Sequence, residues 1–401
     1  MSKTADQIVK HLFGHARFPD WGGDNEHILA GIELEFLVSR IGNENALMRR
    51  VDFLSFVDAM NRRDFNDNHA GGQRYRLSKE FASGYIVIEP DYAFHVLEIA
   101  FPPRRTPQEF RAMVCPTIDA IDDALGEIGF QRLEKSILDP PPRGYDLVNL
   151  DRLANFSQHL LKAASPDAVK HPLFVPHFGA LLASMHVHLN ACGSPLDLNL
   201  LPNLYELEWL AHVLFSNCKI FKGKRYCNAR ALIYPATFPP SYELVYVPPH
   251  IPENITELAA IYDRSFPALF PMEPIRGIKD MSIIRPRSFG TFEFRSACTM
   301  SNIDKMLGVI GFRIAQLTYA KIFRGKKINA VTGWHRMSVE AVANGHQPCD
   351  SVLDAMNQSV DRFNMAIAKM PEEWRMHVPK LSRDSVPLLT NAGGLNARSA
   401  I

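Results

Sequence analysis

Gly31-Ile32-Glu33-Leu34-Glu35-Phe36 decides the fold class, because apolar and acidic side chains alternate in it with a period of two. Successive side chains of a strand point to opposite faces, so Glu33 and Glu35 share one face while Ile32, Leu34 and Phe36 take the other. On a helix, residues two apart do not face each other, and the pairing would be lost. Ile32 to Val38 is therefore expected to form a strand with one buried face and one chemical face.

The same alternation recurs at Tyr85 to Ile88, Ala93 to Ala100, Ser184 to Asn190 and Gly290 to Arg295, and each of these carries polar or charged side chains inside the pattern. Ser184-Met185-His186-Val187-His188-Leu189-Asn190 sets His186 and His188 on one face against Met185, Val187 and Leu189. Thr291, Glu293 and Arg295 share a face of the last strand, with Arg287 in the loop before it, and Glu98 lies in Val96-Leu97-Glu98-Ile99-Ala100. Helices are equally legible. Thr106-Pro107-Gln108-Glu109 has an N-cap, a proline in the first turn and a capping-box partner, followed by a stripe from Phe110 to Ile128. Ser301-Asn302-Ile303-Asp304 opens a second helix, and Pro202 to Ser216 and Ser351 to Met370 read as two more. Strands and helices do not alternate regularly, so the expectation is α+β: a concave antiparallel or mixed sheet backed by helices.

The 401 residues are 46% hydrophobic, enough for a large core, and 44 Lys plus Arg balance 43 Asp plus Glu. That balance gives no electrostatic footprint for nucleic acid. No stretch approaches the roughly 20 apolar residues of a membrane helix. The N-terminus, with Asp6, Lys10 and His11, carries no signal-peptide apolar segment, so a cytoplasmic location is expected. Six scattered cysteines without a C-x-x-C pair are expected to be reduced packing residues. An N-terminal segment (1–27), one catalytic domain (28–380) and a flexible tail (381–401) complete the expected organisation.

Two carboxylates side by side repel unless something positive lies between them, and Mg²⁺ or Mn²⁺ takes such oxygen ligands. Taken alone, the Glu33/Glu35 row also fits a solvated acidic face, His186/His188 a polar core, and Glu293/Arg295 a salt-bridged strand. The recurrence matters more than any one of them. Four strands each present ionisable groups on one face and apolar groups on the other, a surface suited to phosphoryl transfer by positioning and charge neutralisation.

At these residues the sequence resembles glutamate-cysteine ligase family 2, the carboxylate-amine ligases with a glutamine-synthetase-like fold. Gly31 to Phe36 is similar to the family's G-x-E-x-E-F, Leu97-Glu98-Ile99-Ala100 with Pro102 to its E-I-x-T-P, and His186-Val187-His188 to its H-V-H. Arg285-Pro286 through Arg295 is similar to its R-P…G-T-x-E-x-R, and Gly223 to Arg230 resembles a glycine-containing loop ending in a functional arginine. Two departures stand out. Ser296-Ala297-Cys298-Thr299 lies where family members commonly carry an acidic residue, and an insertion with Tyr242, Tyr246 and two proline pairs follows Arg230, so the acceptor pocket is expected to be reshaped.

The resemblance implies an ATP-dependent ligase that activates a small-molecule carboxylate as an acyl phosphate and joins it to an amine. In it Glu33, Glu35, Glu98, His186 and Glu293 would hold Mg²⁺ or Mn²⁺, Arg287 and Arg295 would neutralise the transferring phosphoryl group, Arg230 would contact phosphate or substrate, and His188 would contact nucleotide. Substrate choice is expected in Pro235 to Lys279. Homo-oligomer formation is left open. The competing readings are a guanidino-kinase-like phosphotransferase, a metal-dependent hydrolase or oxygenase built on the histidines, and an inactive ligase-derived binding protein.

Overall fold

The alternation around Glu33 is realised as a strand, Ala30–Arg40, inside a ten-stranded sheet. The structure is a computed structural model and describes residues 28–381 except 68–74, 83, 140–143, 149, 191–196, 240, 270–280, 288–289 and 380. The expected N-terminal segment, and the expected tail save Leu381, lie outside the described residues. Across the sheet the order is Ile284–Arg287, Thr291–Cys298, Ser184–Asn190, Ala30–Arg40, Val96–Arg104, Gly84–Pro90, Leu77–Phe81 and Asn66–Asp67. Every neighbouring pair along it is antiparallel. Asn43–Leu47 and Phe130–Arg132 pair with the far end of Ala30–Arg40.

One face of this sheet is the core. Ile32, Leu34, Leu97, Ile99, Met185, Val187, Leu189, Phe292 and Phe294 are all buried. Two helices, Pro107–Glu127 and Ile303–Ile322, pack over the sheet and against each other. Each such side chain contributes about 1.5–3 kcal/mol on leaving water. The first helix starts as its sequence dictates: Glu109 N donates to Thr106 Oγ1 at 3.2 Å, and Thr106 N donates to Glu109 Oε2 at 2.9 Å. The second is capped by Asn302, whose Oδ1 accepts from Asp304 N at 2.7 Å.

Two expected elements differ. Ala93 to Ala100 begins as a turn, Asp91 N donating to Val96 O and Val96 N to Ala93 O, so the strand starts only at Val96. Pro202 to Ser216 is two short helices, Leu201–Tyr205 and Glu208–Leu214. The break falls where Glu206 and Glu208 turn inward, Glu206 to Tyr319 and Glu208 to Arg313 at 2.5 Å. Both partners belong to the one helix Ile303–Ile322, whereas residues two apart on a straight helix point about 200° apart, so the helix breaks to turn both carboxylates toward the same neighbour. The described cysteines are free, as expected; Cys192 lies outside the described residues.

Gly179 holds the turn before Val96 in place. A Cβ there would lie 2.3 Å from Cδ2 and 2.6 Å from Cγ of Tyr92, which is bonded to Asp91 in the chain. Gly179→Ala is expected to lower stability by about 1–3 kcal/mol, read as a lower denaturant midpoint at unchanged slope.

Candidate active site

The other sheet face carries the chemistry, and antiparallel register brings it together. Glu33 lies opposite His186, Glu35 opposite Glu98, Glu293 opposite His188, and Arg285 opposite Glu293. Five strands from distant parts of the sequence thereby place their polar side chains in adjoining rows.

His186 is the hub. Its Nδ1 lies 3.1 Å from Glu33 Oε2 and 3.7 Å from Glu293 Oε1, and its Nε2 lies 2.9 Å from Ser184 Oγ, which donates to Glu35 Oε2 at 2.6 Å. His188 Nε2 lies 3.3 Å from Glu33 Oε1. Burial works to raise the Glu33 pKa, but the two imidazoles outweigh it and hold the carboxyl well below its ordinary value.

Glu33, His186 and Glu293 each offer a ligand atom, all within 4.8 Å of one another, and so do Glu35, Asp91 and Glu98. Asp91 was not anticipated, because it sits in the turn seven residues before Glu98 and outside any alternating pattern. Its side chain reaches solvent, yet it is crowded enough that lost hydration, followed by the charge of Glu35, pushes its carboxyl up to about 7. Burial, then the charges of Glu33, Asp91 and Glu35, pushes Glu98 well above its ordinary value. Crowded oxygen donors whose like charges oppose ionisation are what a hard divalent cation relieves, so the residues present fit Mg²⁺ or Mn²⁺.

The opposite flank is cationic. Arg285 Nε and Nη2 donate to the two oxygens of fully buried Glu293 at 2.7 and 2.8 Å. Arg287 Nε lies 3.0 Å and Arg295 Nε 3.3 Å from the same carboxylate. Burial opposes the Glu293 charge, but Arg285, then His188, Arg295 and Arg287, hold the carboxyl below its ordinary value. Glu293 is thus clasped by guanidinium groups as well as facing the first cluster. Sequence reasoning quoted Arg285 but gave it no role; its position opposite Glu293 is a matter of register. Four buried polar atoms on this flank have no hydrogen-bond partner among the described residues: His188 Nε2, Thr291 Oγ1, Arg287 Nε and Arg295 Nε.

Arg230 is not an open fork on this face. It is buried, and its Nη2 donates to the Arg295 carbonyl at 2.6 Å, bracing the arginine strand through its main chain. The insertion reaches the same place: Val245–Tyr246 pairs with Met281–Ser282, Ile283 N donates to Tyr246 O, and Arg295 N donates to Ile283 O. Ser296 and Thr299 serve structure instead, Ser296 Oγ donating to Glu208 at 2.7 Å and Thr299 Oγ1 to the Glu35 carbonyl at 2.6 Å.

His212, buried beside Tyr246 with ring centroids 5.8 Å apart, is pushed down to about 3 by burial and then by Arg230 and Arg313. The unfolded imidazole takes a proton near pH 6.5 and the folded one does not, so stability from this group is lost as pH falls below about 6.5. Between pH 7 and pH 5 the loss is about 2 kcal/mol. His212→Gln is expected to flatten the pH dependence of the denaturant midpoint by that amount.

No family model matches the sequence, and no curated protein is matched either. Solved structures are. Glutamate–cysteine ligase from Francisella tularensis, in complex with AMP, aligns with a TM-score of 0.51 over 94% of this chain and 83% of that one, at 14% identity. The fold is that of a glutamate–cysteine ligase. A bifunctional glutathione synthetase from Pasteurella multocida shares this ligase-type fold, with a TM-score of 0.51, 12% identity and 92% of this chain covered. The chain spans about half that protein's length, 48%. The antiparallel sheet backed by helices that the sequence called for is the sheet of this ligase-type fold. No described helix is long and apolar enough to cross a membrane.

Proposed function

We propose that the chain is an ATP-dependent carboxylate–amine ligase, with residues 28–380 as one catalytic domain acting on small-molecule substrates in the cytoplasm. The observation that carries this reading is the juxtaposition of two three-ligand clusters with a row of guanidinium, imidazole and hydroxyl groups, four of whose buried polar atoms have no hydrogen-bond partner among the described residues. Acidic and cationic flanks on one face match the two ends of a metal–polyphosphate substrate.

In this reading Glu33, Glu35, Asp91, Glu98, His186 and Glu293 hold the Mg²⁺ or Mn²⁺ ions. Bound there, the ions supply neutralisation of the triphosphate oxygens. Arg287 and Arg295, whose Nε atoms lie against Glu293 without a hydrogen bond, would offer their guanidinium N–H groups to the transferring phosphoryl oxygens, and His188 and Thr291 would contact nucleotide phosphate. Arg285 keeps Glu293 ionised and aligned, and Arg230 fixes the backbone that carries Arg295. The substrate carboxylate attacks the γ-phosphorus and releases ADP; the amine then attacks the acyl phosphate carbon, expels phosphate and leaves an amide. Tyr246, linked to the Arg295 backbone through Ile283, would support the wall of the amine's pocket.

The test is a paired screen of carboxylates and amines for stimulated phosphate release from ATP, with mass spectrometry of the products. An amide formed with stoichiometric ADP is the expected result. Accumulation of a phosphorylated substrate in the presence of amine would identify a phosphotransferase instead, and no nucleotide turnover with any pair would leave a binding protein.

A further inference from the structure

A cavity lies away from the polar face, at the far end of the same central strand. It has a volume of about 870 Å³, within the range of small-molecule sites. Arg40, one of its lining residues, is five positions beyond Glu35, about 17 Å along a strand. None of the residues lining it belongs to the metal or arginine clusters.

Among the described residues no carboxylate pairs with Arg40 or Arg49, and Arg40 rests over the Phe130 ring at 5.1 Å. Asp52 and Asp146 each accept a backbone N–H, from Arg49 at 3.0 Å and Arg50 at 2.7 Å, and among the described residues no side-chain cation pairs with either. The cavity therefore holds two cations and two anions that do not neutralise one another across it.

Its floor has an unmet acceptor. His95 is buried, and its Nε2 lies 2.7 Å from the Ala180 carbonyl, which can only accept, so the proton is on Nε2. Burial pushes this imidazole down to about 4 and keeps it neutral. Nδ1 is left as a lone-pair acceptor with no partner among the described residues. The Tyr145 ring stacks on His95 at 5.9 Å, and Leu47, Met48 and Phe130 add apolar lining.

We propose that this cavity binds a small zwitterion with an apolar side chain, a free apolar α-amino acid or a dipeptide of such residues. Its carboxylate meets Arg40 and Arg49, its ammonium meets Asp52, Asp146 and His95 Nδ1, and its side chain lies against Leu47, Phe130 and Tyr145. A ligand of one sign would leave the opposite pair without a partner in the cavity.

The full chain is titrated calorimetrically with L-leucine, L-phenylalanine, L-tyrosine and L-leucyl-L-leucine, and with the amide and N-acetyl forms of whichever binds. One binder at one-to-one stoichiometry is expected, weakened at least tenfold by either capping. The Arg40→Ala/Arg49→Ala double variant, altered only at exposed positions, is expected to lose it, and Glu33→Gln to keep it. Binding lost in Glu33→Gln but kept in the double variant would assign the ligand to the polar face and overturn the proposal. So would the absence of binding by all four probes. Because Glu33→Gln separates the two sites, failure here leaves the ligase reading standing on its own test.

Discussion

Glu98→Gln is expected to raise the stability of the metal-free protein while lowering kcat/KM by about 10²–10³. The two effects share one cause. Glu98 stands among Glu35, Asp91 and Glu33 with its carboxyl pushed well above its ordinary value by burial and by those charges, so ionising it works against the fold. The amide keeps the shape and removes the repulsion, a gain of about 0.5–2 kcal/mol of the kind found when a functional site is relaxed. It also removes an anionic oxygen ligand, and losing several kcal/mol of transition-state neutralisation is worth two to three powers of ten in rate. Thermal melts with and without Mg²⁺ or Mn²⁺ separate these effects. Wild-type protein gains about 2.7 kcal/mol at a metal concentration one hundred times Kd, and the variant should gain much less. A variant that melts lower without metal and keeps the full metal shift would remove Glu98 from the site.

Glu293→Gln is expected to move stability the other way. This carboxylate is fully buried and clasped by Arg285, with Arg287 and Arg295 within 3.3 Å. Replacing it leaves three guanidinium groups facing one another with their common anion gone, a loss of about 3–5 kcal/mol for breaking a buried pair. Activity falls with it. The second variant, Arg285→Gln in the Glu293→Gln background, is expected to recover part of the stability and none of the activity, since it lowers the excess charge without restoring the clasp. Additive losses in the double variant would mean that the two side chains are not energetically coupled.

Much of this face was legible because a strand's period of two is a local property. Glu33 and Glu35, His186 and His188, and Glu293 and Arg295 declared their faces from the sequence, and the structure puts all six on one. The Thr106 cap was legible for the same reason, being complete within four residues. What stayed hidden depends on register and on turns. Asp91 reaches Glu35 and Glu98 only because the chain reverses between Pro90 and Val96. Arg285 earns its place from the residue across the ladder, which no spacing within one strand reveals. Arg230 was read as a ligand-binding fork, and its hydrogen bond to the Arg295 carbonyl, 65 residues further along, had no signal in the local sequence. The inward turn of Glu206 and Glu208 was invisible because their partners, Tyr319 and Arg313, lie more than one hundred residues further along, at separations of 113 and 105.

The order in which the sheet is assembled follows from how far its members must travel. Glu33 and His186 are 153 positions apart, whereas Gly84–Pro90 and Val96–Arg104 are joined by one short turn. Local hairpins close early and distant strands join late. During synthesis, Ala30–Arg40 waits with an open edge for Ser184–Asn190, and such an edge invites pairing with other chains. Glu33 and Glu35 on that waiting strand put negative charge along the edge and discourage a second copy from adding to it. The carboxylates that crowd the finished site thus also act as gatekeepers of the unfinished one, and a variant that neutralises both is expected to aggregate during refolding at concentrations where the unaltered chain refolds.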